Sequence, residues 1–139
     1  MSKTMRLSLR AGEKIYLNGA VLRADRKVTL EILNDATFLL EGHVMQVEET
    51  ATPLRQLYYI IQSMLMDPAH AADARALCYR HLAGLFQAFS NASMLMSLDE
   101  VGRLVTEERC YDALRALRGL FPLEDAIMGR TGSVPPKAA

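Results

Sequence analysis

The chain of 139 residues has no tryptophan, only two cysteines and no long apolar run. Its apolar stretches are far shorter than the ~18 residues that a membrane-spanning helix needs, and residues 1–10 lack the apolar segment and cleavage site of a secretion signal. Cys78 and Cys110 lie far apart and form no CxxC pair, which is typical of buried cysteines in a reducing compartment. These absences predict a soluble, cytoplasmic protein without a disulfide framework.

Enzyme motifs are also absent, since the chain holds no GxSxG, no HExxH and no glycine-rich phosphate loop. Adjacent carboxylates include the pairs Glu48-Glu49, Glu107-Glu108 and Glu124-Asp125. Neighbouring side chains point apart in a strand or a helix, so these pairs are poorly placed for acid–base chemistry and are interpreted as solvated charges. We predict no catalytic activity.

The nearest approach to a metal motif is Cys78 with His81, three residues apart on a predicted helix, and His70 within reach along it. A second ligand pair with zinc spacing is missing. A buried cysteine and a half-buried histidine are therefore the favoured interpretation, and we expect neither a metal nor a cofactor.

What the chain does have is an uneven charge distribution, which its net charge of zero conceals. Residues 1–27 contain seven basic and two acidic residues, a balance of +5, whereas residues 28–139 have a balance of −5. Near residue 50 the apolar period also changes, from strand-like alternation to helix-like spacing. This break separates a candidate anion-binding surface from a candidate partner-binding surface.

Before the break, apolar and polar residues alternate in short runs that are separated by turn residues. The runs predict six strands, over residues 5–10, 13–17, 20–23, 27–33, 37–40 and 43–48. Such a series is typical of a small antiparallel sheet or barrel of five or six strands.

The strongest local signal is Asn18-Gly19, because this dipeptide tolerates the positive φ angles of a two-residue type I′ turn. That loop sets a register in which Leu17 opposes Ala20 and Lys14 opposes Arg23. One face of the hairpin then consists of Ile15, Leu17, Ala20 and Leu22. The other face presents Lys14, Tyr16, Val21 and Arg23.

The same alternation predicts a basic outer face for the whole sheet. The inward-facing residues of the first and fourth strands are Met5, Leu7, Leu9, Val28, Leu30 and Ile32. The candidate RNA-binding residues of the outer face are Arg6, Arg10, Lys14, Tyr16, Arg23 and Lys27. Arginine forks onto phosphates and a tyrosine ring stacks on bases, so single-stranded RNA is the anion that suits this face. The alternative is a solvated, charged face that prevents aggregation.

After the break, apolar residues recur at spacings of three and four, which predicts four helices. The first covers residues 53–66, with Thr52 as its N-cap and Pro53 in its first turn. The second covers about 69–89, and the fourth about 109–121. The third begins at a capping box of Ser97 and Glu100.

These elements predict an α+β protein, with a small N-terminal antiparallel β-sheet or barrel followed by a C-terminal bundle of about four helices. We expect a β subdomain over residues 1–50, a helical subdomain over 51–128 and a disordered tail over 129–139. Unpaired strand edges favour a homo-oligomer over a monomer.

Two segments, in this order, resemble the FlbT family of flagellar regulators: LRAGEKIYLNGAVLRADRKVTLEILNDATFLL at residues 9–40 and ATPLRQLYYIIQSMLMDP at residues 51–68. The resemblance covers about the first two thirds of the chain, and the last third only by its helical character. It implies a post-transcriptional regulator of flagellum assembly that associates with the 5′ untranslated region of flagellin mRNA and promotes its decay. Decay would then follow from a recruited ribonuclease or from blocked translation.

The run Arg10-Ala-Gly-Glu13, followed by Ile15 and Leu17, is also similar to the start of CsrA, a small β-rich mRNA regulator whose strand-borne arginines contact RNA. This similarity implies RNA contact by Arg10 first and by Arg6 next. The chain departs from CsrA in its four-helix extension and in lacking a basic run near the end of its sheet region.

Four methionines near predicted helix ends suggest a competing hypothesis: Met64, Met66, Met94 and Met96. Flexible thioethers either fill gaps in a core, the more frequent role, or form an adaptable docking surface. Exposed members would bind an amphipathic helix in an apolar groove, and flagellin termini are such helices. The competing function is a flagellin-binding or chaperone-like module that acts through the helical half. We expect no DNA and no membrane partner.

Overall fold

The computed structural model describes residues 5–34 and 36–129, so of the predicted tail only Gly129 is included. The strands are β1 (Met5–Leu9), β2 (Lys14–Leu17), β3 (Ala20–Arg23), β4 (Val28–Ile32) and β5 (Phe38–Leu40). The helices are α1 (Pro53–Met66), α2 (Ala71–Ala88), α3 (Ala92–Thr106) and α4 (Cys110–Ile127). The predicted α+β class is confirmed. None of the helices in this part of the chain is long and apolar enough to span a membrane.

The first four strands form one long, bent antiparallel ribbon. The predicted hairpin register is confirmed: Leu17 opposes Ala20, and Asn18 and Gly19 form the turn with φ of 50° and 86°. Extending that register without a slip leads into the ladder of β1 with β4, which runs from Leu9 opposite Val28 to Met5 opposite Ile32. β5 pairs with the other edge of β2.

The sixth predicted strand, over residues 43–48, is wrong. The chain there forms two short 3₁₀ turns, Glu41–His43 and Val47–Glu49. Helix α1 supplies the backbone partners instead. The Gln62 side chain accepts from the Met45 N–H over 2.8 Å and donates to the Met45 carbonyl over 2.7 Å. The Gln62 side-chain amide therefore provides the backbone hydrogen bonds that a neighbouring strand would otherwise have provided.

The third helix begins at Ala92, earlier than the predicted capping box at Ser97 and Glu100. Its N-cap is Asn91, whose side chain accepts from the Met94 N–H over 3.0 Å. Met94 is the first buried residue of this helix. Glu100 forms an ion pair with Arg103 on the helix surface. The capping prediction failed because an equally good cap residue lies six positions upstream.

We expect Asn91→Ala to lower the free energy of unfolding by about 1 kcal/mol, because the Met94 N–H loses its acceptor in the first helical turn. Urea denaturation followed by circular dichroism measures this loss. Ser97→Ala is the matched control: Ser97 lies inside α3, where alanine is the better helix former. Equal losses in the two variants would contradict the observed helix start.

Helix α4 continues past its predicted end at residue 121 to Ile127, although Pro122 lies inside it. Proline in a helix interior removes a backbone hydrogen bond and costs roughly 3 kcal/mol. Tertiary contacts hold the last turn, because Glu124 binds the start of α1 and Leu123 packs on the helical core. These contacts override the local preference to end the helix.

Buried apolar side chains form two clusters. The smaller cluster consists of Leu7, Leu9, Ile15 and Phe38. The larger one fills the space between the helices, and Leu39 belongs to it. Adjacent residues of β5 therefore contribute to different clusters. Tyr111 of α4 also reaches the smaller cluster, where its ring stacks on Phe38 with centroids 4.6 Å apart.

The predicted inward face of the ribbon is only partly covered. Leu7 and Ile15 are buried, but Met5, Leu22 and Leu30 remain 40%, 44% and 36% exposed. The register of these residues is as predicted, so the difference lies in packing. A two-stranded ribbon extends beyond the small cluster that covers it, and its outer positions lack neighbours.

Candidate functional site

The ribbon carries the candidate RNA-binding residues on the face opposite the small cluster. Lys14 and Arg23 are direct cross-strand partners, and they alternate with buried Ile15. Arg6 alternates in the same way with buried Leu7. Because side chains of a strand point to opposite faces in turn, these three cations share the outer face, as predicted.

Arg10 and Lys27 lie at the bend between the two ladders. They adjoin Leu9 and Val28, the last residue pair of the first ladder, and both are exposed. Gly12 makes the bend with φ of 83°, a conformation that favours glycine. The bend therefore lies between Arg6 of the first ladder and the pair of Lys14 and Arg23 in the second.

We call five cations of this surface the basic strip: Arg6, Arg10, Lys14, Arg23 and Lys27. Within the described part of the chain, none of the five has a carboxylate within 4.0 Å. Two nearby carboxylates bind backbone instead: Glu13 accepts from the Arg10 N–H over 2.9 Å, and Glu41 from the Lys14 N–H over 2.7 Å. The strip therefore keeps its positive charge without direct neutralisation, although Glu31 faces Arg6 across the ladder.

In the helical half, by contrast, several arginines are paired with carboxylates. The arginines there that lie within 4.0 Å of a carboxylate are Arg55, Arg75, Arg103 and Arg109. Hydrogen bonding to Arg103 lowers the pKa of Glu100 below its ordinary value. Charge pairing is thus concentrated in the half that is acidic overall.

Tyr16 is not an open stacking platform, because its ring is half-buried against the helical cluster. It forms one wall of a groove of about 400 Å³ between β2 and α1, which we call the β2–α1 groove. Other residues that line the groove include Met45, Val47, Tyr59, Met66 and Asp67. Strand alternation placed Tyr16 on the correct face but contained no information about a helix packing there.

The four candidate methionines do not form one surface. Met64 and Met94 are 4% and 0% exposed and belong to the helical core. Met66 is half-buried beside the β2–α1 groove, and Met96 is 75% exposed. A docking role for Met64 and Met94 is therefore wrong, because their thioethers fill the core.

The residues of the weak metal motif are not brought together. Cys78 is buried, and burial raises the pKa of its thiol to about 12. His81 Nε2 lies 2.9 Å from the Pro53 carbonyl, and exposed His70 lies 2.7 Å from Asp67. Over residues 5–34 and 36–129, no three His, Cys, Asp or Glu side chains are grouped to hold a metal ion.

One of the three carboxylate pairs interpreted as solvated is buried. Glu124 is 0% and Asp125 is 9% exposed. Glu124 accepts from the Thr52 hydroxyl over 2.6 Å and from the Leu54 N–H over 2.7 Å. The Arg55 guanidinium lies 3.2 Å from the Glu124 carboxylate and 3.0 Å from that of Asp125. This network, which sequence reasoning missed, joins the end of α4 to the start of α1.

Comparison with known proteins agrees with the resemblance found in the sequence. A family model described as "Flagellar protein FlbT" matches residues 5–128. No solved structure matches the chain.

Curated relatives match over nearly the whole length. The chain is 49% identical over 135 residues to the probable flagellum biosynthesis repressor protein FlbT of Mesorhizobium japonicum, a match that covers 97% of this chain and 92% of the relative. The proteins of the same name from Brucella anthropi and Brucella ovis are 53% identical over 135 residues and 55% identical over 129. These matches cover 97% and 92% of this chain, and 89% and 85% of the relatives. The chain therefore belongs to the FlbT family of flagellar proteins.

Proposed function

We propose that this protein represses flagellum biosynthesis by binding the 5′ untranslated region of flagellin mRNA in the cytoplasm, which promotes decay of the message or blocks its translation. The names of the relatives support the repressor role. The observation that supports RNA as the ligand is the basic strip. Its cations have no acidic partner within 4.0 Å among the described residues. Decay would follow from a recruited ribonuclease or from blocked translation.

The end of the strip nearest the hairpin turn is the cross-strand pair of Lys14 and Arg23. Directly opposed residues of an antiparallel pair have Cβ atoms about 4.5–5.5 Å apart, and like charges at that separation repel. A phosphate held between the two side chains would remove this repulsion and accept hydrogen bonds from both. Phosphate binding is therefore favoured at a position where the free protein is destabilised.

The competing function, a flagellin-binding or chaperone-like module, depended on an exposed methionine surface. Two of the four methionines are in the core, so that surface is not assembled. The basic strip remains the better supported binding surface.

The test is the double substitution Lys14→Glu with Arg23→Glu. We expect it to weaken binding of a flagellin leader RNA by at least about 10-fold, and to reduce the slope of log affinity against log salt by about 0.7 for each phosphate that the protein no longer binds. Fluorescence anisotropy titrations at several salt concentrations measure both quantities.

The matched control is Arg80→Glu with Arg115→Glu, which reverses two exposed cations on α2 and α4. The net charge of the two double variants is the same, so a general electrostatic effect would weaken both equally. Wild-type affinity and salt slope in the folded Lys14→Glu, Arg23→Glu protein would show that the strip is not the RNA site.

A further inference from the structure

The β2–α1 groove lies at one end of the basic strip. We propose that it binds an unpaired nucleobase of the RNA whose phosphates the strip holds, with Tyr59 as the stacking surface. This inference rests on the proposed function and adds the part of the RNA that the groove binds, an unpaired base of a single strand.

The position of the groove places a base site beside the cations. Tyr16 lies on the same face of the ribbon as Lys14 and Arg23, and it follows Lys14 by two residues along β2. At about 3.3 Å of rise per residue, the Cα atoms of Lys14 and Tyr16 are roughly 6.6 Å apart. Neighbouring parts of one RNA strand can therefore reach the cationic pair and the groove together.

The lining of the groove suits a base better than a phosphate. None of its lining residues is basic, so a phosphate has no cationic partner inside it. Tyr59 is 38% exposed on α1, and every nucleobase has a π-face that stacks on such a ring. Val47 and Met66 add apolar surface, while the exposed carboxylate of Asp67 can accept from an exocyclic amino group of a base. A volume of about 400 Å³ lies in the range of small-ligand pockets.

The groove is also preorganised. Both ends of the Gln62 amide bind the backbone of Met45, which fixes the loop that forms one wall. Near the groove, the tip of the hairpin lies against Pro68, which follows α1, so closely that a Cβ on Gly19 would lie 3.3 Å from the Pro68 ring. A base that enters such a groove orders few protein groups, which reduces the entropic cost of binding.

The experiment uses the full chain and a single-stranded oligonucleotide from a flagellin leader, with binding followed by fluorescence anisotropy. We expect Tyr59→Leu to weaken binding by about 10-fold, since one base–aromatic stack is removed. The salt slope should stay at the wild-type value, because the number of bound phosphates is unchanged. Tyr59→Phe and Tyr59→Trp retain a ring and should bind within about 2-fold of wild type.

Tyr79→Leu is the matched control, since Tyr79 lies on α2, is 39% exposed and is outside the groove. Wild-type RNA affinity in folded Tyr59→Leu, with Lys14→Glu and Arg23→Glu still weakening it, would overturn the base site and leave the proposed function standing. The same result is expected if the groove instead takes an apolar side chain of a protein partner. Failure of the wild-type protein to bind any leader RNA would overturn both.

Discussion

Glu124→Ala is expected to lower the free energy of unfolding by about 3 kcal/mol, a large effect for a single carboxylate. The substitution removes the acceptor of two buried donors, the Thr52 hydroxyl and the Leu54 N–H, and takes one of two carboxylates from Arg55. An unsatisfied buried donor costs about 1–3 kcal/mol, and breaking a buried ion pair about 3–5 kcal/mol. Asp125 still binds Arg55, which keeps the expected loss near the lower end of the range for a buried ion pair, about 3 kcal/mol. Urea denaturation followed at 222 nm measures it.

The control is Glu107→Ala, because Glu107 also binds an arginine, Arg103, over 2.7 Å, but at the surface. Water and salt screen exposed pairs, so this variant should unfold almost like the wild type. Similar losses in Glu107→Ala and Glu124→Ala would show that burial of the network adds nothing to stability.

Leu39→Ala is expected to lower the free energy of unfolding by about 2–5 kcal/mol, the range for a large buried side chain truncated to alanine. Leu39 is 0% exposed in the helical cluster, and its neighbour Phe38 lies in the smaller cluster. A cavity beside Leu39 therefore weakens the strand that contributes a buried residue to each cluster. We expect the ribbon and the helices to unfold in one transition in wild type and variant alike, with the midpoint shifted in the variant.

Circular dichroism reports on the helices, and hydrogen exchange measured by mass spectrometry reports on the ribbon. Leu33→Ala is the control, because Leu33 is 65% exposed and its truncation leaves no cavity. Separate midpoints for ribbon and helices in the wild-type protein would refute the coupling through β5.

The parts of the fold that the sequence predicted correctly are those that short-range chemistry specifies. Asn18-Gly19 fixes the turn and hence the register of the ribbon, and Thr52 with Pro53 fixes the start of α1. Each signal lies within a few residues of the structure it determines. Neither depends on how the rest of the chain packs.

The errors arise where a partner lies far away in sequence. Gln62 satisfies the backbone at Met45 from 17 residues away, and this contact replaces the sixth predicted strand. Glu124 binds Thr52 from 72 residues away. An adjacent pair of acidic residues looks the same in sequence whether water or a distant helix start satisfies it. The missing clue was the set of free N–H groups at the start of α1, which requires an acceptor.

In the candidate site, too, local features were predicted correctly and a tertiary contact was missed. Alternation along β2 correctly placed Lys14 and Tyr16 on one face, because side-chain direction in a strand has a fixed period of two. It could not show that α1 packs over Tyr16, which turns an expected flat platform into a groove. Identification of Tyr59 as a wall of that groove needed the tertiary structure.

The number of residues in the bend at Gly12 also determines which face of β1 lies on the same side of the ribbon as the cationic face of β2. Arg6 and Lys14 are separated by an even number of positions along the chain. Their cross-strand partners, Glu31 and Arg23, are separated by the same number, so both cations point to one side. Loss or gain of a single residue in the bend would turn β1 over relative to β2. Leu7 would then face the solvent and Arg6 the apolar interior. The length of the bend, as much as the identity of its cations, keeps charge continuous along the strip.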